Sequence, residues 1–208
     1  MPLIKGPTYQ ARLAAFFLVN ALVFVALVFG DGSLPTNWAE VISPWKATLP
    51  AGMGMVLVGI FSSQLSADMK AKIVFRRRKH ALPGHRAFSE LGPADPRVDM
   101  ARLEAKLGTL PTALKAQNDT WYGLYHAMRD EPVILGLHGD FLLFRDCAAA
   151  AWCMLVLLSP AAFWLAEHWP PAALYALALL AQAMLATRAA RDRGERFVTT
   201  VLAFAASG

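Results

Sequence analysis

The chain has 208 residues, of which 56% are hydrophobic and 17% are charged. Soluble globular proteins have about 45–50% apolar and about 25% charged residues, so this composition excludes a protein that is surrounded by water along its whole length. The formal net charge of +5 is compatible with nucleic-acid binding. However, the basic residues flank apolar stretches, which favours a membrane protein and makes nucleic acid an unexpected partner.

Four uncharged apolar stretches predict four transmembrane helices. They comprise residues 13–30, 49–67, 148–166 and 172–187. A helix of about 20 residues crosses the hydrocarbon core of a bilayer. The first stretch is longer than the apolar core of a secretory signal, so we interpret it as a true span.

The predicted fold class is an all-α membrane protein with a small helical cytoplasmic domain between the second and third spans. The expected divisions are an N-terminal hairpin, the cytoplasmic domain, a C-terminal hairpin and a basic, amphipathic tail, in residues 1–67, 68–146, 147–188 and 189–208.

Small residues recur along one face of the second predicted span. They are Gly52, Gly59, Ser63 and Ser66. Membrane helices approach each other closely along such surfaces. We therefore expect a helix-packing surface here, which in a homo-oligomer meets the same surface of further copies.

Positive charge predicts which side of the membrane each connection occupies, because cytoplasmic flanks collect Lys and Arg. Basic residues lie before the first span, after the second, before the third and after the fourth: Lys5, Arg12, Lys70, Lys72, Arg76, Arg77, Arg78, Lys79, Arg145, Arg188, Arg191, Arg193 and Arg196. The other two connections hold little positive charge and are flanked by tryptophans, which is typical of a bilayer interface. Both termini and the middle segment are thus expected on the cytoplasmic side of a bacterial-type inner membrane.

Local signals divide the cytoplasmic segment into a loop and three helices. Proline and glycine predict a loop over residues 81–96. Asp95 and Pro96 are expected to cap and begin the first helix, which ends near Gly108. The second helix is predicted over residues 112–130, with a buried face made of Leu114, Trp121, Leu124, Tyr125 and Met128.

The third helix is predicted to begin at Pro132 and, if it is continuous, to enter the third span. Such a helix would project from the membrane and transmit movement between the cytoplasmic domain and the spans. The apolar part of the tail is too short to cross a bilayer, so we expect it to lie at the interface or to pack on the cytoplasmic helices.

Five basic residues form a candidate site for an anion or a lipid headgroup: Arg76, Arg77, Arg78, Lys79 and Arg86. Anchoring on anionic lipid is the simpler interpretation. Binding of a nucleotide phosphate is the alternative, since arginine clusters suit phosphate groups.

A compact group of aromatic and polar residues is the first candidate for a small-ligand pocket. It consists of Asn118, Trp121, Tyr122 and Tyr125. Ordinary core packing is the alternative explanation, but these rings are also suited to stacking on a planar ligand.

No motif predicts catalysis, a cofactor or a metal site. The chain has no G-x-S-x-G, P-loop or G-x-G-x-x-G sequence, and no histidine pair has the i, i+4 spacing of a helical zinc motif. An enzyme that uses His126, His138 and Asp140 is kept as a third hypothesis, which would require a bound metal. Transport is disfavoured because the predicted spans carry no acidic, basic or histidine residue at mid-membrane depth.

The general build is similar to that of membrane effectors of bacterial anti-phage systems, and this likeness is one of architecture only. It implies a protein whose cytoplasmic domain senses a ligand or partner and whose spans oligomerise or perturb the bilayer. The alternative is a non-catalytic anchor or scaffold that recruits a cytoplasmic protein partner.

Overall fold

The computed structural model describes residues 5–29, 45–166 and 169–207, without the side chains of residues 27–29 and 45–51. Every regular element in these ranges is helical, as the sequence predicts. The longer helices are α1 (Pro7–Phe29), α2 (Trp45–Gln64), α3 (Ala67–Phe75), α4 (Met100–Leu107), α5 (Leu114–Ala127), α6 (Pro132–Leu165) and α7 (Trp169–Ser207).

Three of the described helices are long and apolar enough to cross a membrane, which indicates a helical membrane protein. They are Pro7–Ala26 in α1, the whole of α6 and the whole of α7. The second predicted span lies in α2, whose described apolar part, Gly52–Gln64, is shorter than a crossing requires. Four spans therefore remain a prediction.

The two longest helices each have an apolar part and a charged part. α6 has 34 residues and α7 has 39, so at about 1.5 Å per residue both exceed the hydrocarbon thickness of about 30 Å. Residues 147–165 of α6 and 169–187 of α7 contain no charged side chain. The predicted continuity of the helix that begins at Pro132 is confirmed, and Gly136 does not interrupt it.

The chain forms two compact units, and α6 and α7 each continue from one into the other. One unit contains residues 6–66 and 146–186, and is here called the apolar unit. Its interior is formed by Phe24, Val58, Met154, Tyr175 and Leu179 among others. Its surface also carries large apolar side chains, such as Leu18, which is 61% exposed, and Leu185, which is 69% exposed. A unit that is apolar both inside and outside is suited to lipid as its solvent.

Among the described residues, nothing packs closely against the two glycines of the small-residue face of α2. α2 packs through Met55, Val58 and Ser62, which are buried, and a Cβ atom at Gly54 would lie 3.1 Å from Leu158. By contrast, Cβ atoms at Gly52 and Gly59 would meet nothing within 4 Å. Ser63 is exposed as well. The prediction that Ser66 shares this face is wrong, because α2 ends at Gln64 and Ser66 lies beyond it.

The other unit, here called the helical unit, contains residues 67–145 and 187–207 together with Lys5. The prediction of a loop over residues 81–96 is wrong, because Pro83–Arg86, Ala87–Leu91 and Gly92–Ala94 form successive helical turns. The reason is the fully buried Gln117 of α5. Its Oε1 accepts hydrogen bonds of 3.1 Å from the backbone N–H groups of Phe88 and Ser89.

The predicted cap of the first cytoplasmic helix is also wrong. α4 begins at Met100, and Asp99 caps it by accepting a 2.9 Å hydrogen bond from the N–H of Arg102. Asp95 instead accepts hydrogen bonds from the backbone and side chain of Arg97. The predicted end of this helix at Gly108 is confirmed, where a φ of 78° favours glycine.

α5 matches the second predicted cytoplasmic helix, but its buried face differs in part. Trp121 and Tyr125 are buried as expected, whereas Leu114 is 40% exposed because it lies at the first position of the helix. The tail is not a separate element, since α7 continues to Ser207. It packs within the helical unit through four buried residues, Phe197, Val198, Val201 and Leu202.

Candidate ligand cavity

A cavity of about 410 Å³ lies within the helical unit. The four residues that the sequence analysis proposed for a ligand pocket all line it. The complete lining is Ala67, Asp68, Leu82, Pro83, Gly84, Asn118, Trp121, Tyr122, Tyr125, His138, Phe141, Leu142, Arg145, Phe197 and Val198. Whether it holds a ligand remains a prediction.

Helical periodicity explains why these side chains share one space. Residues three, four and seven positions apart lie on the same helix face, which places Asn118, Trp121, Tyr122 and Tyr125 together on α5. The same spacing joins His138, Phe141, Leu142 and Arg145 on α6. α7 adds Phe197 and Val198 to the wall.

The ring of Phe197 contacts three other rings of the cavity wall. Its ring centroid is 5.4 Å from that of Trp121 and 5.3 Å from that of Tyr125, with nearly perpendicular planes. It stacks on His138 with centroids 5.0 Å apart and planes 6° apart. Edge-to-face and offset-stacked pairs are favourable aromatic arrangements, so α5, α6 and α7 are held together here by ring contacts.

A hydrogen-bonded pair forms the polar part of the wall. The Tyr125 hydroxyl lies 2.8 Å from Nδ1 of His138. His138 precedes the uncharged part of α6 by nine positions, or about 13 Å. Burial, with a smaller contribution from the positive charge of Arg145, lowers the pKa of His138 to about 4. Burial likewise raises the pKa of Tyr125, so both groups are neutral near pH 7.

Gly84 allows the chain to pass close to the rings of α5. A Cβ atom there would lie 2.6 Å from Oδ1 of Asn118 and 2.8 Å from Cε3 of Trp121. Real Cβ contacts are essentially never that short, so any larger residue at position 84 must displace these two side chains. The absence of a side chain at Gly84 therefore allows this segment to form part of the cavity wall.

Among the described lining residues, Asp68 and Arg145 carry charge. Asp68 forms an ion pair of 2.6 Å with Lys72 one helical turn further on. The guanidinium of Arg145 lies over the ring of Phe141, 5.9 Å from its centroid. The carboxylate of Asp68 is therefore already engaged by a lysine.

The five residues of the candidate anion site differ in their exposure to solvent. Arg76, Arg77, Arg78 and Lys79 are exposed, and Arg76 and the neighbouring His80 have positive φ angles of 52° and 51°. Arg86, by contrast, is buried and lies 3.1 Å from Glu90 in an ion pair. The exposed cluster thus consists of four of the five proposed residues.

The residues of the metal hypothesis have separate partners. His138 pairs with Tyr125, Nε2 of His126 lies 3.2 Å from Arg129, and Asp140 lies 3.3 Å from Arg193. Within the described ranges, no three His, Cys, Asp or Glu side chains lie together as metal ligands would.

Sequence reasoning missed Gly84, Phe141, Arg145 and Phe197 as cavity residues. Phe141 and Arg145 carry a usable signal, because they repeat at helical spacing from His138. Gly84 and Phe197 carry none, since their roles depend on contacts with residues far away along the chain. Comparison with protein-family models, with curated proteins and with solved structures finds no match to this chain.

Proposed function

We propose that this protein is an integral membrane effector or signalling component whose helical unit binds a small ligand, and whose spans then oligomerise or perturb the bilayer. One observation carries the proposal. The helices that bring His138 and Phe197 to the cavity, α6 and α7, are two of the three described helices that are long and apolar enough to cross a membrane. A ligand that changes the packing of these rings thereby acts on the ends of two membrane helices.

The proposed assembly surface is the small-residue face of α2. Its two glycines have open space beside them in the part of the chain that the structure describes, since Cβ atoms at Gly52 and Gly59 would meet nothing within 4 Å. Close backbone approach between copies would use this open space. The proposed orientation places the helical unit and both termini on the cytoplasmic side of an inner membrane. A reporter fused after residue 208 that is active only outside the cell would contradict it.

The test combines oligomer size with membrane integrity. Gly52→Leu with Gly59→Leu should reduce the oligomer to smaller species in detergent and stop dye leakage from vesicles. Phe61→Leu is the matched control, because Phe61 lies on the same helix, is 53% exposed and is on the side away from Gly52 and Gly59. An unchanged oligomer in the double variant would contradict this assembly surface. If the setting is anti-phage defence, expression should also reduce plaque formation, and the double variant should not.

The alternative function is a non-catalytic anchor or scaffold that recruits a cytoplasmic protein. The exposed cluster of Arg76, Arg77, Arg78 and Lys79 favours it, since such a surface suits an acidic partner as well as lipid headgroups. The two functions differ in their effect on cells. Activated effector should slow growth or leak dye, whereas an anchor should do neither and should lose its partner when these four residues are changed to serine.

A further inference from the structure

We infer that the cavity binds a planar aromatic molecule that carries a carbonyl or carboxylate oxygen and has no positive charge. This inference rests on the proposed function, in that it takes the cavity as the ligand site. It adds the chemical class of the ligand, which follows from the shape, the hydrogen-bonding groups and the charge of the wall.

The volume of the cavity and its aromatic lining indicate the shape of the ligand. Small-molecule sites commonly measure about 300–1,000 Å³ and are mainly apolar, and this cavity, at about 410 Å³, lies at the small end of that range. Five aromatic side chains line it, from Trp121, Tyr122, Tyr125, Phe141 and Phe197. A flat ring system of two or three fused rings gains contact with several of these surfaces at once.

The polar groups of the cavity wall determine which polar group the ligand must carry. A neutral imidazole has one donor nitrogen and one acceptor nitrogen. When the Tyr125 hydroxyl donates to Nδ1 of His138, Nε2 carries the remaining proton. Among the described residues, neither this nitrogen nor the side-chain amide of Asn118 has a hydrogen-bond partner. An oxygen acceptor on the ligand would satisfy the N–H donors of both.

The charge of the wall decides against a cationic ligand. Aromatic walls also suit quaternary ammonium groups through cation–π contacts, so a cation is the competing ligand. Arg145 lines the same space, and the carboxylate that would compensate a cation, Asp68, is already paired with Lys72. The positive charge of Arg145 also acts on the neighbouring His138, whose pKa it helps to lower, so a second positive charge in this space is disfavoured and the ligand is neutral or anionic.

The test uses four naphthalene probes that share one ring system. Binding to the purified full chain in detergent is measured by equilibrium dialysis for 2-naphthamide, 2-naphthoate, 2-methylnaphthalene and (2-naphthyl)methylammonium. The amide and the carboxylate should bind at least about tenfold more tightly than the other two, since each loses an acceptor or adds a positive charge. Equal or tighter binding of the ammonium probe would overturn the inference, as would equal binding of the methyl probe.

Two variants and one control distinguish binding in this cavity from uptake by the detergent. Gly84→Ala should weaken binding of 2-naphthoate by about tenfold or more, because the new methyl group displaces Asn118 and Trp121. Gly123→Ala is the control on α5, where a Cβ atom meets nothing within 4 Å. His138→Phe keeps a ring on Phe197 and removes the nitrogens, so the preference for 2-naphthamide over 2-methylnaphthalene should decrease to what Asn118 alone supports. A preserved preference would refute the hydrogen-bonding role, even if Gly84→Ala fails to fold.

The outcomes for ligand class and for function are distinguishable. If the probes bind in the expected order but leave oligomer size and dye leakage unchanged, the ligand class stands and the coupling in the proposed function fails. If the protein assembles and leaks dye through the face of α2 while none of the four probes binds, the ligand class is overturned and the effector function stands.

Discussion

The rings of Phe197 and His138 stack in parallel, with centroids 5.0 Å apart, although Phe197 is the later by 59 positions in the sequence. This contact joins α7 to α6 at the wall of the cavity, and Trp121 and Tyr125 of α5 meet the same phenyl ring. Phe197 of α7 therefore contacts rings of both α5 and α6 and connects the three helices.

Removal of this ring should destabilise the helical unit strongly. Phe197 is 4% exposed, and truncation of a buried phenylalanine to alanine costs about 3–5 kcal/mol. Phe197→Ala should lower the melting temperature in detergent, followed by tryptophan fluorescence. Phe204→Ala on the same helix is the control, because Phe204 is 37% exposed and should lose much less. Equal losses in the two variants would contradict the central position of Phe197.

The lowered pKa of His138 predicts a loss of stability in mild acid. Its ordinary pKa is 6.5, and the folded value is about 4. As the pH falls from 6.5 towards 4, the unfolded chain takes up a proton that the folded chain does not, so the free energy of unfolding decreases over this window. Above pH 6.5 both states are neutral at this ring, and the contribution is constant.

The measurement compares melting temperatures between pH 7.5 and pH 4.5. His138→Phe should show a smaller decrease than the unmodified chain, because it lacks the titrating ring. His126→Gln, which changes an exposed histidine on α5, should retain the full decrease. The Tyr125 hydroxyl and the positive charge of Arg145 both act on His138. A full decrease in His138→Phe would assign the acid sensitivity to other groups.

Gln117 should be essential for the helical turns of residues 83–94. Its Oε1 accepts from the N–H groups of Phe88 and Ser89 and from the Ser89 hydroxyl, while Nε2 donates to the carbonyl of Thr112. A buried group that loses its partner costs about 1–3 kcal/mol. Gln117→Leu should therefore increase proteolytic cleavage within residues 83–94. Lys115→Leu, at an exposed position of the same helix, should leave the cleavage rate unchanged.

This glutamine shows where sequence reasoning succeeds and where it fails. Proline and glycine between residues 81 and 96 indicate a loop when only neighbouring residues are considered. The helical turns exist because Gln117, which is 29 positions from Phe88, accepts a hydrogen bond from the backbone N–H of that residue. The grouping of Asn118, Trp121, Tyr122 and Tyr125, by contrast, depends on the period of one helix and can be predicted. The opposite wall, with Phe197, arises from tertiary packing that a local period does not encode.

Two glycines in helix interiors should respond in opposite directions to alanine. A Cβ atom at Gly194 of α7 would lie 2.9 Å from ring atoms of both Phe75 and Phe141, whereas one at Gly136 of α6 meets nothing within 4 Å. Alanine is favoured over glycine in a helix by about 1 kcal/mol, so Gly136→Ala should raise the melting temperature.

At Gly194 the same gain is opposed by overpacking, which costs about 1–3 kcal/mol. Phe75 and Phe141 are each 5% exposed and pack on each other with ring centroids 6.2 Å apart. Phe141 also lines the cavity, so a shift of either ring disturbs packed contacts. Gly194→Ala should therefore lower the melting temperature, because the repulsion exceeds the helix-forming gain. Adding Phe141→Leu should recover part of the loss by making room for the methyl group. A rise in melting temperature for Gly194→Ala alone would mean that α7 does not approach α3 and α6 as closely as these rings require.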